Sequence, residues 1–126
     1  MNKKTLLAAI GFAISSLSAM AQTQPIAIAI HGGAGTIEKS RFTPEQEKAY
    51  RAKLKEAVEV GYKVLESGGE SLDAVTAAIN ILEDSPFFNA GKGAVYTYDG
   101  SHELDASIMD GRNRQAGAVA GVKSVK

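Results

Sequence analysis

An apolar run that ends in a glycine cluster constrains this chain more than any other stretch. Residues 26–30 read Ile-Ala-Ile-Ala-Ile, and the loop that follows, residues 31–36, reads His-Gly-Gly-Ala-Gly-Thr. An uncharged run rich in β-branched residues and stopped by glycines is typical of a strand buried on both faces of a sheet. Glycines allow close backbone approach and left-handed φ values. The pattern therefore predicts a strand in the middle of a sheet, with a glycine-rich loop at its end.

The composition limits the kinds of protein that this chain can be. Its 126 residues are 44% hydrophobic, and 14 basic residues balance 14 acidic ones. A chain of this size can bury the core of one domain. The balanced charge does not provide the basic face of a nucleic-acid-binding protein, so no nucleic-acid partner is expected. The stretch contains no cysteine, which excludes disulfides, a thiol nucleophile and thiolate metal sites within it.

Residues 1–21 have the pattern of a secretory signal peptide. Two lysines form a basic start, residues 6–17 form a short apolar stretch, and residues 19–21 read Ala-Met-Ala, a small-x-small cleavage site. The apolar stretch is too short for a comfortable membrane span. We therefore expect residues 22–126 to be exported to the periplasm or secreted, without membrane attachment once the signal is removed. The alternative is an uncleaved N-terminal anchor.

The next segment predicts a long amphipathic helix. Residues 43–46, Thr-Pro-Glu-Gln, combine an N-cap, a proline at the first helical position and a capping-box partner. Apolar residues then recur every three or four positions. Glu47 and Arg51 are spaced to form an ion pair on the solvated side. The two glycines at 68–69 predict the end of this helix just before them.

A second, shorter helix is predicted from Ser71, which can act as its N-cap. Its main apolar stripe consists of Leu72, Val75, Ile79 and Leu82. Alanines make much of the remaining surface apolar, so this helix should be the more buried of the two. The two helices are expected to pack as one antiparallel layer.

Three short strands in an antiparallel meander are predicted for the last part of the chain. Residues 95–98 form the first, and Asp-Gly at 99–100 is a hairpin signal. Residues 103–109 alternate between apolar and polar, and residues 116–122 are almost all alanine, glycine and valine. The order of elements indicates an α+β fold with helices on one face of a mainly antiparallel sheet. The other face of that sheet has nothing to cover it, so we expect this part of the domain to be incomplete.

Five blocks of the chain follow one another in a recognisable order. They are residues 28–35, 68–75, 82–97, 103–111 and 116–122. The blocks resemble the plant-type asparaginase and isoaspartyl peptidase family, whose members are N-terminal-nucleophile (Ntn) hydrolases. The most specific are Asn-Ala-Gly-x-Gly at 89–93 and Leu-Asp-Ala-x-x-Met-Asp-Gly at 104–111, whereas a lone His-Gly-Gly would not be specific. The resemblance covers essentially all of residues 22–126.

The resemblance implies an αββα sandwich that is made as one precursor and cut autocatalytically into α and β chains. Residues 22–126 correspond to the N-terminal part of the α chain. The nucleophile would be the N-terminal threonine of the β chain, with its own amine as base, and the substrates would be L-asparagine and β-aspartyl (isoaspartyl) dipeptides. The family threonine lies in Gly-Thr-Val, which is absent here. The fragment alone is therefore expected to be inactive without its β chain. The family also suggests (αβ)2 assemblies.

The resemblance also implies roles for particular residues. Asn89 matches an asparagine beside the nucleophile, although it can instead bond its own turn. Gly32 and Gly33 match a loop near the active site, although they can also be ordinary punctuation of a strand end. No organic cofactor is implied, but a structural sodium ion held by main-chain oxygens is; the alternative is a glycine-rich loop without an ion. The oxygens expected to bind sodium are those of Leu82, Glu83, Ser85, Phe88, Ala90 and Lys92.

Both histidines have alternative interpretations. His31 at a strand end is more often a hydrogen-bonding residue that holds a loop than a general base. His102, Glu103 and Asp105 look like a metal cluster, but on a strand His102 faces away from the two carboxylates. We therefore favour a surface hairpin in which Asp105 or Asp110 bonds turn amides.

Two other functions lack the motifs that they need, and two further functions remain as alternatives. A lipase-type oxyanion loop would need a Gly-x-Ser-x-Gly elbow, which is absent from this stretch. A phosphate-binding loop would need Gly-Lys-Ser/Thr, which is also absent. A glycosylasparaginase-type amidase is the rival within the family. A non-catalytic exported domain is the rival from another class.

Overall fold

The computed structural model describes residues 25–34 and 38–123, so the predicted signal peptide at 1–21 lies outside the described residues. Helices α1 (Pro44–Glu66) and α2 (Ser71–Glu83) precede strands β1 (Leu104–Met109) and β2 (Ala116–Val122). The strands pair antiparallel in a two-stranded sheet. This confirms the α+β class for the described part of the chain. Among these residues no helix is both long and apolar enough to cross a bilayer.

Both ends of α1 are set by the predicted local signals. The Thr43 hydroxyl accepts a hydrogen bond from the Gln46 N–H at 3.2 Å, and the Gln46 side chain accepts one from the Thr43 N–H at 2.9 Å. These reciprocal bonds form the predicted capping box. At the other end Gly68 has a φ of +83°, and the Gly69 N–H donates to the Val64 carbonyl at 2.8 Å. This left-handed turn closes the helix where the glycines predicted.

The predicted N-cap of α2 is wrong by one position. Ser71 is the first helical residue and Glu70 is the N-cap. The Glu70 carbonyl accepts the N–H of Ala74 at 3.1 Å. Its side chain makes no cap bond and instead pairs with Arg112, 2.7 Å from Oε2 to Nη1. The Glu70 carboxylate next to the start of α2 is therefore paired with an arginine of the β1–β2 turn, which is distant in sequence.

The helices pack through their smallest residues. In α1 two of 23 residues are buried, Ala57 and Gly61. In α2 three of 13 are buried, Ala74, Ala78 and Leu82. The second helix is therefore the more buried, as predicted.

The predicted apolar stripe of α2 is wrong in part, because a different face meets α1. Val75 and Ile79 are 41% and 48% exposed. A Cβ added to Gly61 would lie 2.9 Å from the Ala74 carbonyl oxygen and 3.2 Å from the Ala78 Cβ. A branched side chain does not fit between backbones at this separation. The glycine–alanine contact therefore decides which face of α2 is buried.

The apolar run at 26–30 is not the predicted strand buried on both faces. It has no regular secondary structure, and the sheet among the described residues contains only β1 and β2. Ile30 packs on the hydrophobic cluster between α1 and α2, and the Ile28 Cδ1 lies where a Cβ on Gly61 would be only 2.5 Å away. A central strand needs partner strands for its backbone groups. Without them, the run buries individual side chains against α1.

The predicted strand at 95–98 is also wrong. The Thr97 N–H donates to the Ser101 carbonyl at 2.8 Å, and the Gly100 N–H donates to the Thr97 carbonyl at 3.0 Å. Gly100 takes a φ of +79°, so Asp-Gly does mark a turn. The flanking residues do not pair as a ladder, and the expected three-stranded meander has two strands in the described residues.

Strands β1 and β2 form where the alternating and small-residue patterns predict them, and two aspartates shape their pairing. The register shifts between Leu104 and Ala106. Near this shift the Gly121 N–H donates to Asp105 Oδ1 at 2.9 Å. In the turn, Asp110 Oδ1 accepts the Arg112 N–H, also at 2.9 Å. The Arg112 side chain also bonds this carboxylate, and these bonds hold the pKa of Asp110 below its usual range. The preference for a hairpin with aspartates on backbone amides is confirmed.

Replacing Gly61 with alanine should destabilise the protein. The added Cβ would meet the Ala74 carbonyl at 2.9 Å, and that oxygen cannot move unless α2 moves. We expect a net loss of about 1–3 kcal/mol, because overpacking outweighs the gain in helix propensity of about 1 kcal/mol. The midpoint of urea unfolding measures this loss.

The matched control is Gly111→Ala. A Cβ at Gly111 meets nothing within 4 Å, so its unfolding free energy should change by less than about 0.5 kcal/mol. Equal effects of both substitutions would contradict close helix packing at Gly61.

Candidate active site

The His-Gly-Gly loop lies directly against α1. A Cβ on Gly32 would be 3.0 Å from Leu54 Cδ2 and 3.6 Å from Phe88 Cε1. Gly33 has a φ of +124°, in the region that favours glycine, and its N–H donates to His31 Nδ1 at 3.2 Å. An acceptor at Nδ1 places the proton of the neutral ring on Nε2. His31 therefore holds its own loop, as the sequence favours.

Tyr50 on α1 organises the loop that follows α2. Its ring stacks on Phe87 with 4.8 Å between centroids and meets Phe88 edge-on at 5.7 Å. Phe42 packs edge-on against the same ring at 5.1 Å. Because Phe88 is only 6% exposed, these contacts anchor the loop to the core.

Asn89 ties together the two ends of this loop. Its Oδ1 accepts the Val95 N–H at 3.0 Å, across the 3-10 turn at Gly91–Gly93. The carboxamide oxygen of Asn89 therefore bonds within its own turn, which is the alternative interpretation of this residue. The carboxamide nitrogen has no hydrogen-bond partner in the described part of the chain, and it is available to a group outside that part.

Two glycines allow main-chain oxygens to converge on the loop. A Cβ on Gly93 would lie 2.1 Å from the Phe88 oxygen and 2.9 Å from the Pro86 oxygen. On Gly91, with a φ of +49°, it would lie 2.4 Å from the Glu83 oxygen. A side chain at either position would collide with backbone. Only glycine therefore fits at these two positions, where the loop lies against main-chain carbonyls. We call this arrangement the carbonyl cradle.

Three of the carbonyls expected to bind sodium already accept backbone hydrogen bonds. The Leu82 oxygen accepts the Ser85 N–H at 3.1 Å, the Phe88 oxygen accepts the Ala90 N–H at 2.7 Å, and the Ala90 oxygen accepts the Gly93 N–H at 3.0 Å. A carbonyl oxygen has two lone pairs. These bonds therefore leave each oxygen able to contact a cation.

The Lys92 side chain takes its positive charge to a carboxylate. Its Nζ lies 2.8 Å from Asp84 Oδ1, and this bond lowers the pKa of Asp84 below its usual range. A charge neutralised in this way does not oppose a cation held by the Lys92 carbonyl oxygen.

A cavity of about 920 Å³ joins the glycine loop, α1 and the loop after α2. It is lined by Gly32, Gly33 and Asn89. Of the residues expected to bind sodium, Leu82, Phe88 and Ala90 line it, whereas Glu83, Ser85 and Lys92 do not. The tertiary structure thus brings three separate segments of the chain to one site.

The cavity lining contains few reactive groups. Within the described residues it includes an imidazole, a phenol, one carboxylate and one guanidinium, but no serine, threonine or cysteine. Serine, threonine and cysteine are common nucleophiles in amide hydrolysis, and the described part of the lining contains none of the three.

One wall of the cavity was not expected from the sequence. Glu47 and Arg51 do form the predicted ion pair, with 2.8 Å between Oε1 and Nε, but both residues line the cavity together with Tyr50 and Leu54. These four positions have i, i+3, i+4 and i+7 spacing, which places them on one helix face. The helical spacing of these four residues, two of which are apolar, was the signal in the sequence that could have identified this face of the helix.

A polar cluster forms around Asp99, in the turn at residues 97–101, and not around His102, Glu103 and Asp105. The Asp99 carboxylate accepts hydrogen bonds from the hydroxyls of Thr97 and Ser101, and these lower the pKa of Asp99, with Thr97 as the largest cause. His102 Nδ1 lies 3.1 Å from the Val95 carbonyl oxygen. Across residues 25–34 and 38–123, no group of three His, Cys, Asp or Glu residues could hold a metal ion.

Removing the Asn89 side chain should loosen the loop locally. In Asn89→Ala the Val95 N–H loses its acceptor, so its hydrogen exchange should become about five- to tenfold faster, as expected for a bond worth ~1 kcal/mol. Asn89→Asp keeps an acceptor oxygen and should keep the protection. Exchange of the Val95 amide, followed by NMR, measures both variants.

Asn113→Ala is the matched control, because the Asn113 side chain accepts the Gln115 N–H in the hairpin turn at 2.9 Å. It should leave the Val95 amide unchanged. Unaltered Val95 exchange in Asn89→Ala would show that this bond does not hold the loop.

Comparison with known proteins places the whole described chain in one family. The family model described as Asparaginase matches residues 23–126. The chain is 58% identical to the isoaspartyl peptidase of Salmonella typhimurium over 99 residues, which are 79% of this chain and 32% of the relative. It is 52% identical to the isoaspartyl peptidase of Escherichia coli over 99 residues, or 79% of this chain and 31% of the relative.

An archaeal relative matches a similar stretch. The plant-type L-asparaginase of Pyrococcus horikoshii is 52% identical over 101 residues, which are 80% of this chain and 32% of the relative. The chain thus spans about a third of the length of these curated relatives.

Proposed function

Since this chain belongs to the asparaginase family, we propose that the full-length protein hydrolyses β-aspartyl (isoaspartyl) peptides and L-asparagine. The observation that supports this most is the shared cavity. Gly32, Gly33 and Asn89 lie in three-dimensional proximity on its wall, at the positions for which the family resemblance implies a place beside the nucleophile. Relatives at 58% and 52% identity are named isoaspartyl peptidases.

The nucleophile is the N-terminal threonine of a β chain that autocatalytic cleavage of the precursor creates. Its own α-amine takes the proton from Oγ as the oxygen attacks the side-chain amide carbonyl of the substrate. The proton passes to the leaving nitrogen, which departs as ammonia or as an amino acid. Water then cleaves the aspartyl ester and frees the threonine. The lack of a serine, threonine or cysteine in the described cavity lining supports a nucleophile from the β chain.

Asn89 supports this reaction by orienting the nucleophile. Its carboxamide oxygen is held by Val95 at 3.0 Å, which fixes the plane of the side chain and leaves the nitrogen free to donate. The oxygen of a threonine nucleophile is an acceptor for such a donor. Gly32 and Gly33 keep the loop close to α1, because any side chain at Gly32 would meet Leu54.

The loop after α2 fits a structural sodium ion. The fit rests on the carbonyl cradle at Gly91 and Gly93 and on the remaining lone pairs of the Leu82, Phe88 and Ala90 oxygens. Sodium is a hard cation that prefers oxygen ligands. When bound, it would stabilise the loop that carries Asn89. The complete proposed set is the main-chain oxygens of Leu82, Glu83, Ser85, Phe88, Ala90 and Lys92.

The sodium proposal predicts a specific salt effect on stability. At sodium concentrations about tenfold above its dissociation constant, binding to the folded state adds about 1.4 kcal/mol. The melting temperature of the full-length protein in sodium chloride should therefore exceed that in choline chloride at equal ionic strength by about 2–5 °C. Gly93→Ala should abolish the difference, because its Cβ displaces the Phe88 oxygen.

Lys92→Ala is the control for this experiment. It removes the ammonium group but keeps the main-chain oxygen, so the sodium effect should persist. Loss of the effect in Lys92→Ala, or equal melting in both salts for the unmodified protein, would contradict main-chain sodium binding.

The proposed activity predicts different results for the full-length protein and for the fragment. The purified full-length protein should separate into two chains on a denaturing gel and release leucine from β-aspartyl-leucine and ammonia from asparagine. Replacing the N-terminal threonine of its β chain by alanine should prevent both cleavage and activity. Residues 22–126 alone should release no ammonia above background. Activity of the fragment, or an uncleaved but active full-length protein, would contradict the mechanism.

Export of the protein is proposed from the pattern of residues 1–21. The basic start, apolar stretch and Ala-Met-Ala site support cleavage before Gln22. The intact mass of the α chain in the assay above reports this directly, since an α chain that starts at Met1 would contradict cleavage.

A further inference from the structure

The face of α1 that borders the cavity carries a feature that catalysis at a side-chain amide does not need. Arg51 provides the only guanidinium or ammonium group in the lining of this cavity within the described residues. Both Glu47 and Arg51 lie on the face that also presents Tyr50 and Leu54 to the cavity. A cation in the wall of a substrate cavity is a recognition element for an anionic group.

The guanidinium is held so that its outer edge stays open. The Nε–H of Arg51 donates to the Glu47 carboxylate at 2.8 Å. The two terminal nitrogens of Arg51 have no hydrogen-bond partner in the described part of the chain. Those nitrogens form the fork that binds a carboxylate with two parallel hydrogen bonds. The ion pair with Glu47 thus orients the arginine without occupying the fork.

The cavity has room for more than free asparagine. Its volume of about 920 Å³ lies at the upper end of the range for small-molecule sites. Apolar and aromatic side chains, among them Phe42, Tyr50 and Phe87, line it beside Arg51. An amino acid with an apolar side chain and a free carboxylate matches this combination of groups.

We infer that Arg51 binds the terminal carboxylate of the amino acid that leaves when a β-aspartyl dipeptide is cleaved. The inference rests on the proposed function and defines its preferred substrates as dipeptides with a free carboxyl terminus and an apolar second residue. Arg51 is a specificity residue here, since it contacts the leaving group and not the reacting amide. Asparagine releases ammonia, which carries no carboxylate, so its hydrolysis does not use Arg51.

Three substrates separate this contact from every other contribution: β-aspartyl-leucine, β-aspartyl-leucinamide and L-asparagine. For the unmodified full-length protein, kcat/KM should be about tenfold or more higher for the acid than for the amide, as expected for a charge-assisted hydrogen bond. In Arg51→Gln the value for the acid should fall about 10- to 100-fold, mainly through KM. The values for the amide and for asparagine should change less than about twofold. Arg51→Lys keeps the charge without the fork, so the acid should show an intermediate loss.

Lys55→Gln is the matched control. Lys55 lies one turn further along α1, forms the same i,i+4 pair with Glu59, and its side chain is 74% exposed, as is that of Arg51. It does not line the cavity, so all three kinetic constants should stay unchanged. Thermal melting of each variant checks its folding.

Several outcomes would overturn the inference. One is an equal loss on all three substrates in Arg51→Gln, and another is no loss on the acid. A third is equal hydrolysis of the acid and the amide by the unmodified protein, a comparison that requires no variant. Failure of the unmodified protein on every substrate would instead overturn the proposed function, and with it this subsite.

Discussion

The close contact between Gly61 in α1 and the alanine face of α2 is the constraint on which the rest of the described structure depends. A Cβ at Gly61 would be 2.9 Å from the Ala74 carbonyl oxygen and 2.5 Å from Ile28 Cδ1, so there is no space for a side chain at position 61. Interiors packed at this density accept only one relative placement of the helices. The rotation of α1 about its axis follows from that placement.

The candidate cavity is a consequence of this rotation. Once the Gly61 side of α1 faces α2, the face with Tyr50 and Leu54 is directed at the His-Gly-Gly loop and at the loop after α2. Gly32 then packs on Leu54, and Phe87 stacks on Tyr50. The site is therefore built on helix packing and aromatic anchors, while the loops supply the polar groups. The carbonyl cradle also depends on close contact between backbone segments, which is possible there only at glycine.

Local signals in the sequence were accurate at most places where the chain satisfies its own backbone, although the N-cap of α2 is Glu70 and not Ser71. The capping box at Thr43, the glycine stop at Gly68 and the aspartate turn at Asp110 all form as predicted. These bonds involve residues within about five positions, so their partners are visible in the sequence. Apart from that N-cap, the predictions that failed concern strand pairing and the choice of the buried helix face. The run at 26–30 has the composition of a central strand, but no strand among the described residues pairs with it.

The sequence by itself determined the family, the two helices and two strands, and the residues Gly32, Gly33 and Asn89 as candidates for one site. Motif order and short-range hydrogen bonding are sufficient for these conclusions. Only the tertiary structure decided that α2 buries its alanines instead of Val75 and Ile79, and that Arg51 lines the cavity while its side chain stays largely exposed. The reason is physical: apolar periodicity defines faces of a helix, but steric fit between two backbones selects which face is buried.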